Sequence, residues 1–409
     1  MTITIIGGGA AGCFCSIEIK RRLPSARVIV LEAQDRTLAK VAITGGGRCN
    51  LTNTFEGVDE LSKVYPRGHR LLTRVFHSFN HQDCMRWFES EGVSLVVQDD
   101  HCVFPRSQDA MQIVRTLQLL MRQSGIEVFN RCKVTGIRDC GGSFEISVDG
   151  REKLLSDYVV VTIGGRSRGG QDFLSPLDLK MVDSVPSLFS FNIDCKELTS
   201  LMGTVVKDAV VSLSGTRLSG RGELLITHWG ISGPAVLRLS SYAARELALA
   251  QYRASVQIRW CADAGEEELR ETLLSYAASN PGKLCGSLHP APLPSRLWEH
   301  LLRRAGLRND LRWGEIGSKG LSKLVSTLMA DTYTMSGKSR WKEEFVTCGG
   351  VALCEVNPST LECRKHPALY FAGEVLDIDG VTGGFNLQAA WSTGYVAACN
   401  IFSKFVLSK

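Results

Sequence analysis

The stretch Met1-Thr-Ile-Thr-Ile-Ile-Gly-Gly-Gly-Ala-Ala-Gly12 decides the fold, because an apolar β-branched run breaks into a glycine-rich turn and opens a helix. Thr and Ile favour an extended, pleated backbone, and the glycines end it. In a G-x-G-x-x-G turn each glycine has its own task. Gly7 permits the tight reversal, Gly9 has no side chain to block a pyrophosphate, and Gly12 lets the helix close on the strand. The helix amides, beginning at Ala10 and Ala11, then face the phosphates. Arg27-Val-Ile-Val-Leu-Glu32 follows as a second strand, and its terminal acid lies twenty residues beyond Gly12, placed to bind a ribose. Together these features predict a dinucleotide cradle.

Composition narrows the classes. A chain of 409 residues buries a large core and accommodates two or three domains. The 47 Lys+Arg against 42 Asp+Glu leave a net charge of +5, too mild and dispersed to argue for nucleic acid or an acidic membrane. The fourteen cysteines show no C-x-x-C pair and no metal-ligand spacing, so neither a metal site nor a disulfide framework is indicated, and reduced thiols are the simplest reading. The first strand begins at residue 2, leaving no room for a signal sequence, and no apolar run is long enough to span a bilayer. The expectation is a soluble cytoplasmic protein.

Beyond the first βαβ unit lies Thr44-Gly-Gly-Gly-Arg-Cys-Asn-Leu-Thr-Asn53, too rich in glycine for helix or strand. Residues 71–92 and 108–124 carry Leu, Val, Phe, Met and Trp at three- and four-residue steps and predict helices. A β-meander is expected in Glu127-Val-Phe, Lys133-Val-Thr-Gly-Ile and Ser143-Phe-Glu-Ile-Ser-Val. The apolar run Asp157-Tyr-Val-Val-Val-Thr-Ile163, ending in Gly164-Gly165, reads as another parallel strand with a cofactor-facing turn. From about Ser187 short alternating segments suit a small antiparallel barrel or sheet, with helices over 265–280 and 293–305. Near Phe345 the first style returns, and the strand Ala368-Leu-Tyr-Phe-Ala372 leads into Gly373-Glu374. The nucleotide domain is therefore discontinuous: 1–186 and 341–409, around an insert at 187–340 whose barrel takes 187–262 and about 320–340 and whose helical piece takes 263–319.

Several of these strings together resemble the flavoproteins of the BaiN/YhiN type, over nearly the whole chain. The resemblance rests on GGGAAG at 7–12, on GGGRCNLTN at 45–53, on Thr227-His-Trp-Gly-Ile-Ser-Gly-Pro234, on Val346-Thr-Cys-Gly-Gly350, and on AGEVLDIDGVTGGFNLQAAWSTG at 372–394. It implies an α/β fold: a glutathione-reductase-type FAD-binding Rossmann domain interrupted by a β-barrel and a helical piece. It also implies an FAD-dependent oxidoreductase in which non-covalent FAD exchanges hydride with a small organic substrate. Either an activated double bond is reduced at the expense of NAD(P)H or an amine is oxidised by dioxygen.

The resemblance assigns roles residue by residue. Glu32 with Ala33 takes the adenosine ribose, and the backbone around Val134 meets the adenine. Lys40 and the loop of Gly46, Arg48, Cys49 and Asn50 stand beside the cofactor, with positive charge and amides for phosphate or flavin edge. Cys49 has no second cysteine at a dithiol-like spacing, so it lines or packs rather than cycles. Thr162 and Gly164 belong to the cofactor-facing turn, and Gly373-Glu374 to the ribityl or pyrophosphate region. Gly384, Asn386, Leu387 and Gln388 open a helix whose amides point at the flavin pyrimidine edge. His228 is the candidate proton carrier, although an imidazole anchoring the insert fits its position equally well.

The family's proline and TGSTGDGY-like segment after Gly165 is replaced by a shorter Arg166-Ser-Arg-Gly-Gly-Gln-Asp-Phe173. No second G-x-G-x-x-G is visible, so NAD(P)H would visit the flavin face transiently. Two rival readings remain. A flavin-dependent RNA-modifying enzyme predicts a basic face on the insert, where Arg296, Arg303, Arg304, Arg308 and Arg312 are diluted by Glu299, Asp310 and Glu315. A catalytically idle flavin protein has nothing in the chain to favour it. Substrate, nicotinamide preference and oligomeric state stay open.

Overall fold

The computed structural model describes residues 1–165, 171–339 and 346–407. The chain forms two compact units, Met1–Val185 with Val346–Lys409, and Pro186–Phe345. The expected boundary at 340/341 and the part of the shortened loop at 166–170 lie outside the described residues.

The first unit is built on a five-stranded parallel sheet in the order Leu369–Phe371, Tyr158–Val161, Thr2–Ile6, Arg27–Leu31, Glu127–Phe129. Ile3, Ile5, Val28, Val30 and Val160 are fully or almost fully buried, as expected of strands covered on both faces. The helices Ala10–Arg22 and Phe385–Leu407 pack on each other, and a Cβ on Gly394 would stand 2.8 Å from the Ala11 carbonyl oxygen. Phe14 anchors this contact, with ring centroids 4.6 Å from Trp87 and 5.6 Å from Trp391. Burying each such ring contributes roughly 1.5–3 kcal/mol.

The second unit holds a closed six-stranded antiparallel barrel: Phe191–Ile193, Gly230–Ser232, Ser219–Thr227, Val205–Leu213, Ala254–Arg259 and Asp331–Lys338. Phe191, Val211, Ile226, Ile231, Ile258 and Met335 fill its interior without exposure. The helices Glu266–Ser279, Ser295–Arg304 and Gly317–Ala330 form the helical piece. The buried Asp331 accepts from Trp260 Nε1 at 3.1 Å, Tyr333 Oη at 2.6 Å and Arg304 Nη2 at 2.6 Å, so one carboxylate ties the closing strand to the helices.

Four local expectations change. Glu127–Phe129 is the edge of the parallel sheet, and the antiparallel meander is Val134–Asp139, Phe144–Val148 and Leu154–Ser156. A three-residue strand is too short for alternation to reveal its partner. The helix expected over 71–92 is two, His69–Phe76 and His81–Ser90. Asn80 starts the second by accepting from Gln82 N and Asp83 N while the Asp83 carboxylate accepts from Asn80 N. The glycine-rich stretch contains a short turn at Thr44–Gly47 and a two-residue strand at Thr52–Asn53 paired with Cys102–Pro105. Residues 320–330 belong to a helix, and only the Asp331–Lys338 strand closes the barrel. No helix among the described residues is long and apolar enough to cross a membrane.

Candidate functional site

The carboxyl ends of four adjacent parallel strands bring together Gly7, Glu32, Thr162–Gly164 and Gly373–Glu374. The chain leaves Thr2–Ile6 toward Arg27–Leu31 on one side and meets Tyr158–Val161 on the other, so the glycine turn stands where the strand order reverses. Ligands of open parallel sheets bind at such a reversal.

The three motif glycines differ in what surrounds them. Gly7 has φ +110°, and a Cβ there would come 2.6 Å from the Thr162 carbonyl oxygen. At Gly12 a Cβ would lie 2.0 Å from the Gly7 carbonyl oxygen and 2.5 Å from Thr162 Oγ1. A Cβ on Gly9 would meet nothing within 4 Å. Two glycines are thus demanded by packing, and the third faces open space at the head of the helix. That helix has no capping side chain and no acid in its first turn, so the Ala10 and Ala11 end presents backbone amides and a positive dipole. This is an anion cradle, and a pyrophosphate fits it.

Glu32 is buried, its Oε2 accepting from Gly8 N at 2.7 Å and its Oε1 from Gln34 N at 2.8 Å. The carboxylate is therefore fixed against the glycine turn, with half-buried Ala33 beside it. Cys132 N donates to the Glu32 carbonyl at 2.8 Å, which fixes the approach to buried Val134. Glu374 is held by Thr347 N at 2.7 Å and lies 3.5 Å from Lys40 Nζ, and a Cβ on Gly164 would come 3.5 Å from its Oε2. A Cβ on Gly373 would stand 2.9 Å from Ala11 Cβ, so the Gly373–Glu374 turn sits against the head of the first helix.

The glycine-rich loop takes a left-handed course, with φ +58° at Gly45, +69° at Gly46 and +84° at Gly47. Cβ atoms on Gly46 and Gly47 would meet nothing within 4 Å. Arg48 is exposed, donates from Nε to the Gly45 carbonyl at 3.1 Å and lies 4.4 Å over the Phe104 ring. With its amide oriented to satisfy both neighbours, Asn50 donates to the Thr52 carbonyl at 3.0 Å and accepts from Gly384 N at 3.2 Å. The loop and the start of the last helix are thereby tied together.

Other side chains named from the sequence are engaged inside the protein. Thr162 Oγ1 donates to the Gly7 carbonyl at 2.8 Å. Asn386 makes two 2.8 Å bonds to the Gly380 backbone, and the fully buried Gln388 accepts from Thr52 Oγ1 at 2.5 Å and donates to Ser392 Oγ at 2.8 Å. Leu387 packs on the core. Cys49 is buried with φ +62°, and burial pushes its thiol up to about 12. These residues shape the loop through their own bonds, while Gly9, the helix amides and the Gly46 region leave space for a ligand. His228 belongs to the second unit, exposed in the turn between two barrel strands, its ring edge-on to Trp229 at 4.3 Å.

Sequence reading missed three supports. Thr347 holds Glu374, Asn53 Nδ2 donates to the Gly383 carbonyl at 3.0 Å, and Arg67 forms a two-pronged ion pair with the fully buried Asp379. Thr347 and Asn53 lay inside strings already singled out. Arg67 carried no signal, because its partner lies 312 positions away.

Comparison with known proteins agrees with this geometry. Residues 1–400 match the family model described as HI0933-like protein Rossmann domain. The 3-dehydro-bile acid delta(4,6)-reductase of Clostridium scindens is 27% identical over 404 residues, which is 97% of each chain. The ribosomal RNA dihydrouridine synthase of Escherichia coli is 28% identical over 98% of this chain and 97% of its own. Among solved structures, 3-ketosteroid delta1-dehydrogenase from Sterolibacterium denitrificans shares the fold at TM-score 0.51 and 10% identity, over 98% of this chain and 100% of that one. The chain belongs to the HI0933-like Rossmann family and is an FAD-dependent oxidoreductase.

Proposed function

We propose that the protein reduces a ring carbon-carbon double bond conjugated to a carbonyl, with NAD(P)H as the electron source. One observation carries this reading. Two relatives of equal similarity are named for different substrates, a 3-dehydro-bile acid and ribosomal RNA, yet both names describe adding two hydrogens across such a bond. A carbonyl in conjugation makes the far alkene carbon electron-poor. Hydride adds there, and a proton then joins the carbon next to the carbonyl.

The chain's residues divide this work. The Ala10–Ala11 amides and Gly9 bind the pyrophosphate, Glu32 takes the ribose, and the Val134 backbone meets the adenine. Lys40 and Arg48 offset phosphate charge, while Gly164, Gly373 and Glu374 line the ribityl end. The Gly46 to Asn50 loop and the Gly384 turn hold the helix start in place. Bound FAD supplies hydride exchange with the substrate. His228 delivers the proton to the substrate carbon.

The test is an anaerobic visible spectrum before and after NADPH or NADH, followed by a 4-en-3-one steroid. Flavin bands that bleach and return with the enone, giving the saturated ketone, are the expected result. Bands that persist with NAD(P)H but bleach with a primary amine would replace the reductase with an oxidase.

A second reading places the double bond in a uracil of ribosomal RNA. The names of the Escherichia coli relative and of a Haemophilus influenzae relative, 27% identical over 97% of this chain, favour it. Against it, Arg303, Arg304 and Arg308 stand beside Glu299, Asp331 and Asp310, which reduces the positive field of the helical piece. Loss of dihydrouridine from the ribosomal RNA of a deletion strain would establish this substrate, and unchanged content would remove it.

A further inference from the structure

Two asparagines hold a single peptide bond at the entrance of the last helix. The Gly383 carbonyl accepts from Asn53 Nδ2 at 3.0 Å, and the N–H of Gly384, in the same peptide plane, donates to Asn50 Oδ1 at 3.2 Å. Neither side-chain amide can turn round. Asn53 Oδ1 is occupied by Phe55 N at 2.9 Å and Asn50 Nδ2 by the Thr52 carbonyl at 3.0 Å, so neighbouring backbone dictates which end of each side chain meets the peptide. Asn53 is only 4% exposed, so water competes little for its two bonds.

The clamp stands where the chain is otherwise free. Gly383 and Gly384 have φ +130° and +89°, and a peptide plane between two glycines turns over at little steric cost because no Cβ flanks it. Both glycines are required for room. A Cβ would come 2.9 Å from Phe385 Cε2 at Gly383 and 2.3 Å from the Thr52 carbonyl oxygen at Gly384. The helix Phe385–Leu407 begins directly after this peptide, with no acid in its first turn and with Gln388 N bonded to the Gly384 carbonyl at 3.0 Å. The amides of Phe385, Asn386 and Leu387 precede that first helical bond and have no helical acceptor. Nine residues further on, about 14 Å along the axis, the same helix passes the head of the first helix at Gly394.

We propose that Asn53, together with Asn50, is a positioning residue for the flavin: by fixing the Gly383–Gly384 peptide it keeps the first-turn amides of the last helix aimed at the ring. A ribityl chain and ring extended from the Gly9 cradle cover a span of that order. Asn53 acts through the backbone. Its effect falls on the reduced state, because reduction places negative charge on the pyrimidine edge of the ring and amides of fixed direction favour that charge. Amides whose direction wanders favour it less. The inference rests on the cradle reading for the position of FAD and is independent of the substrate.

The experiment is a dye-equilibrated reductive titration of the FAD-bound wild-type protein and of Asn53→Leu, with amide hydrogen exchange of both apoproteins. Asn53→Leu is expected to keep its FAD and to lower the preference for reduced over oxidised flavin about tenfold, a potential more negative by about 30 mV for a two-electron couple. In its apoprotein the Gly384 N–H, still opposite Asn50, should exchange about tenfold faster, since cutting one end of the clamp loosens the other. Tyr65→Phe is the control. Tyr65 Oη donates to the Phe385 carbonyl at 2.7 Å, at the same helix entrance but outside the clamped peptide, so its loss should leave the potential unchanged. Where Asn53→Leu does not fold, Asn50→Ala cuts the half-buried end of the clamp and should lower the potential in the same direction. A wild-type potential in the folded Asn53→Leu or Asn50→Ala protein, unaltered exchange at Gly384, or an equal shift in Tyr65→Phe would each overturn the inference. Wild-type protein that binds no FAD would refute the cradle and this inference with it, whereas bound FAD at an unaltered potential refutes the inference alone.

Discussion

Thr162 Oγ1 donates a 2.8 Å hydrogen bond to the carbonyl of Gly7, clamping the end of one parallel strand onto the glycine turn that ends its neighbour. The bond holds the Gly7 carbonyl at the point where a side chain on Gly12 would have to enter. The shape of the cradle is therefore held by the protein's own bonds, which lowers the ordering that binding has to supply.

Gly9 and Gly12 should separate binding from folding. Gly9→Val places its branch in open space, so the apoprotein should melt near the wild-type temperature while FAD retention is lost. Gly12→Val drives a branch into the Gly7 carbonyl and Thr162, and should destabilise the fold by at least about 1–3 kcal/mol. Thermal melts and flavin content check both, and a Gly9→Val protein saturated with FAD would refute the cradle.

Burial pushes the thiols of Cys49 up to about 12 and of Cys261 and Cys285 up to about 11, from an ordinary 9.0. A raised thiol value stabilises the fold fully below 9.0, and that contribution is lost as pH rises toward the folded value. Each group should cost about 1.4 kcal/mol per pH unit within that interval. Urea melts at pH 8 and pH 10.5 should show the alkaline loss. At pH 8 iodoacetamide should label exposed Cys140 and Cys354 ahead of Cys49, as read by mass spectrometry.

Arg67 and fully buried Asp379 lean on each other across the turn before the last helix. Asp379→Ala should cost about 3–5 kcal/mol, because it removes the carboxylate that faces a mostly buried guanidinium. Replacing both residues, Arg67→Met with Asp379→Leu, should recover a large part of that loss. Equal destabilisation by the single and double variants in denaturant titration would show that the pair is not the source of stability.

His228→Ala should retain FAD and still be reduced by NAD(P)H, while substrate turnover falls on the order of 100-fold, the range of a lost general acid. Stopped-flow separation of the two half-reactions reads this. An unchanged rate in the substrate half-reaction would leave His228 as an anchor of the insert.

The first βαβ unit was legible because its information is local: alternation, glycine spacing and the position of Glu32 all fall within 32 residues. The same holds for the helices at 266–279 and 295–304, whose apolar stripes and flanking prolines mark them. The partner of Glu127–Phe129 was not legible, since three residues carry too little pattern to choose between a parallel edge and a meander. Nor could sequence show that Asn386 and Gln388 bond inside the protein. Both are polar residues beside a glycine turn, and only the positions of Gly380 and Thr52 reveal their engagement.

By itself, then, the sequence determined the nucleotide cradle, the family and the return of the chain to its first domain, because each depends on residue type at short, fixed spacing. Tertiary structure alone decided which polar groups are used up and which remain without a partner. Glu374 meets Thr347 and Lys40, Asp379 meets Arg67, and Asn192 comes level with Thr227 across the barrel, all through contacts between residues distant in sequence. A hydrogen bond is decided by distance and burial in space, and neither is written in the order of the chain.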